Sequence, residues 1–126
     1  MIPEKLRYTR EHEWLQMEED LATIGITHHA QSAMGDLVFV ELPAKGDQVE
    51  AGQPLGSVES VKSVSEVFSP VKGEVVEVNT LLEEKPELVN EDPYGKGWLI
   101  RVALKGTPSG LMTAAEYRAF LENEPG

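Results

Sequence analysis

The segment 46-GDQVEAGQPLGSVESVKSVSEVFSPVKGEVVEV-78 decides the expected fold. Its glycines and prolines separate short runs of valine, leucine and phenylalanine. Apolar runs of this length, with turn residues at roughly ten-residue spacing, are typical of all-β sandwiches and barrels. Lys62 lies midway between 54-PLGSVE-59 and 64-VSEVFS-69, so the pattern predicts a lysine at the tip of a β-hairpin.

The same alternation continues on both sides of this segment and predicts a mainly β chain. Strands are expected near residues 12–17, 21–26, 37–42, 54–59, 64–69, 73–79 and 97–104. The stretch 81-LLEEKPELVNEDPYGKG-97 mixes acidic and apolar residues with proline and glycine, which indicates a loop with about one helical turn.

Two segments have helical signals instead. In 27-THHAQSAMGD-36, Thr27 is a suitable N-cap and Gly35 can end the helix in a left-handed conformation, which predicts one or two turns. The segment 113-TAAEYRAFLE-122 begins with a capping box, and its apolar residues recur at helical spacing. We expect this C-terminal helix to pack on the sheet.

Composition limits the classes of protein to consider. The 126 residues suffice for one domain, which we expect to span residues 1–126 around a core unit of about 20–104. The absence of cysteine excludes disulfide scaffolds, thiol nucleophiles and cysteine-ligated metals. The 22 acidic residues outnumber the 11 lysines and arginines, so the net charge of −11 disfavours nucleic acid and anionic membranes as partners.

No stretch has the composition of a signal peptide or a membrane span, so we expect a cytoplasmic monomer.

The order Gly-Asp-x-Val, glycine, Pro-Leu, Val-Glu-Ser and Lys62 resembles the lipoyl and biotinyl carrier family. Over about residues 6–122 the chain is similar, more specifically, to the H-protein family of the glycine cleavage system. The motifs that support this are 11-EHEWL-15, 22-ATIGIT-27, 37-LVFVELP-43, 58-VESVKS-63, 69-SP-70, 73-GEVVEVN-79 and 93-PYGKGWLIRV-102. The resemblance implies a lipoyl-domain-like flattened barrel or sandwich of two sheets, with an N-terminal hairpin, a short helix and a C-terminal helix.

The resemblance also implies a covalent cofactor. In the family an enzyme attaches lipoate by an amide bond to the lysine of Glu-Ser-Val-Lys, which corresponds to Lys62. The glutamate three residues earlier, Glu59, and the glycine sixteen residues earlier, Gly46, are implied in recognition by the lipoate-attaching enzyme. Lys72, in 69-SPVKGE-74, lacks the upstream Glu-Ser-Val and is an internal control.

Family members are carriers with no catalytic residue of their own. The implied partners are glycine decarboxylase, a pyridoxal phosphate enzyme, the tetrahydrofolate-dependent aminomethyltransferase, and dihydrolipoamide dehydrogenase. The carrier takes an aminomethyl group from the first to the second, and the third reoxidises its dithiol.

The family shelters the loaded arm in a cleft. The residues implied here are Glu11, His12, Glu13, His29 and Glu66. Carboxylates in a partly water-excluded cleft attract the ammonium of the arm more strongly than they would in bulk water. Two positions depart from the family pattern, because Glu11 replaces the usual serine and Glu66 the usual aspartate.

A third departure is 27-THHAQ-31, in which His28 and His29 are adjacent. Neighbouring helical residues point about 100° apart, and no acid or cysteine stands at ligand spacing, so no metal site is predicted. We expect His28 on the surface.

Several alternatives remain at this point. A biotin carrier would place methionines beside the lysine, where Val61 and Ser63 stand, and a lipoyl domain of a 2-oxo acid dehydrogenase complex would typically have Glu-Thr-Asp-Lys. An enzyme could use Glu13 and Glu66 as an acid/base pair, but no nucleophile or phosphate loop accompanies them. An interaction module without cofactor, or a relay of lipoate to other carriers, is also open.

Overall fold

The computed structural model describes residues 2–123, which form two antiparallel β-sheets and several short helices. The strands are β1 (Arg7–Tyr8), β2 (Glu13–Glu18), β3 (Leu21–Ile26), β4 (Leu37–Glu41), β5 (Gln48–Val49), β6 (Pro54–Ser60), β7 (Val64–Phe68), β8 (Gly73–Val78) and β9 (Ile100–Leu104). The larger sheet has the order β1-β2-β3-β9-β8-β5, and the smaller sheet the order β4-β6-β7. The mainly β, two-sheet prediction is therefore confirmed.

Two of the four helices in the described residues, the first and the last, begin at a capping residue. The four are α1 (His28–Met34), a 3₁₀ helix (Thr80–Glu83), α2 (Leu88–Glu91) and α3 (Ala114–Asn123). At the start of α1 the Thr27 hydroxyl accepts from the Ala30 amide, and Gly35 follows its end at φ 83°. Before α3 the Thr113 amide donates to the Glu116 carboxylate at 2.8 Å, and the Glu116 amide donates back to the Thr113 hydroxyl at 3.2 Å. Both predicted caps are confirmed.

The main core lies between the two sheets, because the strands alternate buried apolar residues with exposed ones. Its buried members include Leu15, Ile24, Val40, Val58, Val67, Val75, Ile100 and Val102. A second cluster joins the N-terminal strands to α3, where the rings of Tyr8 and Tyr117 stack with centroids 4.7 Å apart. This stacking holds the C-terminal helix against the larger sheet.

Some local predictions were wrong. The strand expected over 97–104 begins only at Ile100, because Gly97 is packed closely against α2: a Cβ on Gly97 would lie 2.7 Å from the Leu88 carbonyl oxygen. The two-residue strands β1 and β5 were not predicted, since so short a strand has no measurable alternation. The segment expected as a loop with about one turn contains both the 3₁₀ helix and α2.

Within residues 2–123, no helix combines the length and the apolarity needed to cross a membrane.

Candidate functional site

Lys62 lies at the tip of the β6–β7 hairpin. The turn is closed locally: the Ser60 amide donates to the Ser63 carbonyl at 2.8 Å, and the Ser63 amide donates to the Ser60 hydroxyl at 3.2 Å. The neighbouring Val61 is 88% exposed, and Lys62 is exposed as well. The tip therefore projects from the smaller sheet with the amine accessible to another protein.

One side of the tip rests on the end of α1. The Ser63 hydroxyl donates to the Met34 sulfur at 3.6 Å, and Lys62 Cε lies 3.7 Å from the position that a Cβ would occupy at Gly35. The aliphatic part of the lysine thus has a support while its amine stays outside. Such an arrangement fixes the root of an attached arm and leaves the arm itself mobile.

The two predicted recognition residues lie in different parts of the fold. Glu59 is on β6, opposite Phe39 on one side and Val64 on the other. Gly46 lies at the turn before β5, where its φ of 96° favours glycine and its amide donates to the Val75 carbonyl at 2.7 Å. Glu59 is therefore beside the tip in the smaller sheet, whereas Gly46 shapes the edge of the larger one.

All five residues predicted for the cleft line one cavity of about 250 Å³. It lies between α1, the start of β2 and the edge strand β7. Its lining includes Glu11, His12, Glu13, His29 and Glu66, together with apolar side chains such as Ile26, Val58, Met34 and Val67. The structure thus brings together acids from loop and strand positions that are more than fifty residues apart in sequence.

Glu13 is the buried acid of this cleft, with only 2% of its surface exposed. One carboxylate oxygen accepts from the Thr9 hydroxyl at 2.6 Å, and the other accepts from the Phe68 amide at 3.3 Å. Burial, with a smaller contribution from the neighbouring Glu11 carboxylate, nevertheless raises the pKa of Glu13 to about 7. Near neutral pH this carboxyl can therefore exist in either protonation state.

The two cleft histidines lie against each other, and His12 also lies against α3. His12 has φ 68°, and its ring lies with its centroid 4.4 Å from that of His29. His12 Nδ1 is 2.8 Å from the Tyr117 hydroxyl, which is also 2.9 Å from the hydroxyl of Thr27. Tyr117 consequently ties the C-terminal helix to both the cleft and the N-cap of α1.

His28 lies outside the cleft, as expected. It is exposed, and its backbone amide donates to the Tyr94 hydroxyl at 2.9 Å. Both residues line a second cavity of about 340 Å³, which shares His29 with the cleft. Over residues 2–123, no three histidines or acids are grouped so that they could hold a metal ion.

Sequence reasoning missed Thr9 and Tyr117. Thr9 organises the loop before β2, since its hydroxyl accepts from the amides of Glu11 and Glu13 while donating to the Glu13 carboxylate. A threonine four residues before a buried acid is a signal that could have been noticed. Tyr117 is one of the apolar residues at helical spacing in 113–122, and nothing in the neighbouring sequence distinguishes it from a packing residue.

Chemically, the site combines an exposed primary amine with an acidic cleft whose walls are largely apolar. The amine can be acylated, and the cleft can hold a small cation away from bulk water.

Comparison with known proteins agrees with this arrangement. The family model described as "Glycine cleavage H-protein" matches residues 6–124. A glycine cleavage system H protein of Rubrobacter xylanophilus is 60% identical over 123 residues, covering 98% of this chain and 97% of the relative. One of Herpetosiphon aurantiacus is 51% identical, covering 98% and 95%.

A solved structure gives the same result in three dimensions. The crystal structure of a glycine cleavage system H protein from Mycobacterium marinum superposes with a TM-score of 0.92 at 41% identity, covering 96% of this chain and 99% of that one. Similarity at this level extends over both sheets, the hairpin tip and the terminal helix. The chain therefore belongs to the glycine cleavage H-protein family.

Proposed function

We propose that this protein is the lipoylated carrier of a glycine cleavage system, with lipoate in amide linkage to Lys62. The observation that supports this most directly is the position of Lys62 at a projecting hairpin tip, next to a cleft lined by Glu11, Glu13 and Glu66. The family has been established from the whole chain, whereas the attachment site and the cleft are inferred from these residues.

The residues present suit such a cofactor. Lys62 offers an exposed amine, and Gly35 leaves room beside its aliphatic chain at the end of α1. The lipoyl group supplies a disulfide that can accept an aminomethyl group and release it again. The cleft of about 250 Å³ combines the apolar surface and the carboxylates that an alkyl arm with a terminal ammonium requires.

The cleft residues then have separate tasks. Ile26, Val58 and Val67 exclude water, and the carboxylates attract the ammonium in a medium of lower dielectric constant. Burial raises the pKa of Glu13 to about 7. A cation bound nearby would oppose this shift, because a positive charge favours the ionised form of the carboxyl. Glu11 and Glu66 are less buried and form the rim.

The partners follow from the same role. We propose that the carrier exchanges its load between glycine decarboxylase and the aminomethyltransferase, is reoxidised by dihydrolipoamide dehydrogenase, and receives lipoate from an attaching enzyme that recognises Glu59 and Gly46. We assign it no catalytic residue. A monomeric state and a cytoplasmic location remain predictions.

The test is the intact mass and peptide map of the protein co-expressed with a lipoate ligase in medium containing lipoic acid. We expect one lipoyl group on the wild type and on Lys72→Arg, and none on Lys62→Arg. The modified protein should then take up label from glycine when glycine decarboxylase is added. An unmodified wild type, or modification of Lys72, would contradict the proposal.

A further inference from the structure

The smaller sheet has an exposed apolar face beside the hairpin tip. Phe39, Glu59 and Val64 are consecutive partners across β4, β6 and β7, so their side chains lie in one row on one face. Phe39 is 52% exposed and Val64 is 64% exposed. Val38, at the register shift beside Phe39, is 51% exposed. We call Val38, Phe39, Glu59 and Val64 the outer patch.

The outer patch is on the opposite face of the sheet from the cleft. Strand residues alternate between faces, and the partners in the adjacent row, Val40, Val58 and Ser65, point the other way. Val58 and Ser65 line the cleft. A protein bound to the outer patch therefore reaches the tip from the face opposite Val58 and Ser65.

The charge of the smaller sheet indicates what kind of surface a partner would present. The strands β4, β6 and β7 contain three carboxylates, those of Glu41, Glu59 and Glu66, and no lysine or arginine. Within residues 2–123, no cation forms a salt bridge with Glu59. A complementary surface would be apolar in the centre, where Phe39 and Val64 contact it, and basic where it meets Glu59.

We propose that the outer patch docks the enzyme that acylates Lys62, an inference that rests on the proposed function. The attaching enzyme acts before an arm exists and needs only the amine at the tip. Enzymes that exchange the load must instead reach an arm held in the cleft, which lies on the Val58 and Ser65 side of the sheet. Exposed apolar side chains adjacent to one another, rather than scattered, are typical of such docking sites.

The experiment measures initial rates of lipoylation by a purified lipoate ligase, with lipoic acid and ATP, against the concentration of unmodified carrier. For Phe39→Ser/Val64→Ser we expect KM to rise about tenfold with little change in kcat, because truncating central apolar contacts weakens docking. The milder Val38→Thr/Val64→Thr keeps β-branched side chains and so preserves the strands, and its KM should rise about threefold.

Matched controls are Met17→Ser and Leu81→Ser, which remove apolar side chains that are 41% and 47% exposed elsewhere on the surface. Their KM should equal that of the wild type. Unchanged KM in the outer-patch variants, with wild type modified normally at Lys62, would overturn this inference alone. Failure of the wild type to be modified would overturn the proposed function and this inference together.

A second readout separates the partners. The outer-patch variants are lipoylated to completion with excess ligase and tested for label uptake from glycine with glycine decarboxylase. We expect the rate of label uptake by these variants to fall far less, relative to wild type, than their kcat/KM for lipoylation falls. Normal lipoylation with impaired uptake would show that the outer patch serves the decarboxylase instead, and the inference would be wrong.

Discussion

Strand β7 has a lysine just beyond each of its ends, and the two surroundings differ. Before β7, the turn with Lys62 is closed by Ser60 and Ser63, and it rests against the end of α1 through the contact of Ser63 with Met34. After β7, the turn with Lys72 is held by the rest of the fold. There the Ser69 hydroxyl donates to the Val71 carbonyl at 2.6 Å, and the Lys72 carbonyl accepts from the Lys105 amide at 2.9 Å.

Burial follows the same division. Ser69 and Val71 are 2% and 1% exposed, whereas Val61 is 88% exposed. Both lysine side chains are exposed, so exposure of the side chain does not distinguish them. The difference is in the backbone. Of these two turns, the one with Lys62 projects far enough for another protein to surround it, and the one with Lys72 does not. A modification site needs an accessible turn as well as an accessible amine.

The strongest way to break this comparison is to make the second turn more like the first in sequence. Pro70→Ser in a Lys62→Arg background creates Ser-Val-Lys over residues 70–72, as at residues 60–62, while Ser69 still stands where Glu59 precedes the first turn. We expect no lipoylation at all by intact mass, because the turn stays packed against the end of β9. The matched control restores Lys62 in the Pro70→Ser background and should be fully modified. Lipoylation of Lys72 would show that local sequence suffices.

The next largest effect is expected on stability, at Glu13. Its carboxylate lines the cleft and accepts from the amide of Phe68, the last residue of β7 before the turn with Lys72. Its pKa is about 7 in the folded chain against an ordinary value of 4.5. Between these values the folded chain binds more protons than the unfolded chain, so its stability falls as pH rises through this range. The loss should amount to about 3 kcal/mol.

This is checked by urea unfolding at pH 5 and pH 8.5. The free energy of unfolding of the wild type should fall by about 2.5 kcal/mol more than that of Glu13→Gln, which has no carboxyl to titrate at this position. Glu66→Gln, at an exposed position in the same cleft, is the matched control and should follow the wild type. Parallel profiles for wild type and Glu13→Gln would contradict the interpretation of Glu13 as a buried titrating acid.

A smaller effect on stability is expected when Gly73 and Gly46 are each replaced by alanine. A Cβ at Gly73, at the start of β8, would overlap the Ala103 carbonyl oxygen, so Gly73→Ala should reduce the free energy of unfolding by about 2 kcal/mol or more. Gly46 has open space around it and only an unfavourable φ of 96°, so Gly46→Ala should cost about 1 kcal/mol. Thermal or urea unfolding measures both, and equal losses would mean that the turn after β7 is less rigid than its packing indicates.

The elements that could be predicted are those whose signal is local. Alternation defined β6, β7 and β8, Thr27 and Gly35 bounded α1, and a capping box started α3. Each depends on side chains within a few residues of one another, so the sequence contains the whole of the information. The hairpin position of Lys62 belongs to the same class.

The elements that could not be predicted depend on distant parts of the chain. The late start of β9 results from the packing of Gly97 against Leu88. The cleft likewise needed the fold, since His12 Nδ1 lies 2.8 Å from the hydroxyl of Tyr117, a residue 105 positions away in the chain. Its residues could be named beforehand only through resemblance to a family, and no periodicity or spacing indicated them.

The sequence by itself therefore determined a mainly β chain, a lysine at a hairpin tip and a strongly acidic composition. Tertiary structure alone decided which turn projects, which of the acids is buried and which face of the smaller sheet is left open beside the tip. The physical reason is that alternation and capping are satisfied within a segment, whereas desolvation and accessibility depend on what other segments pack against it.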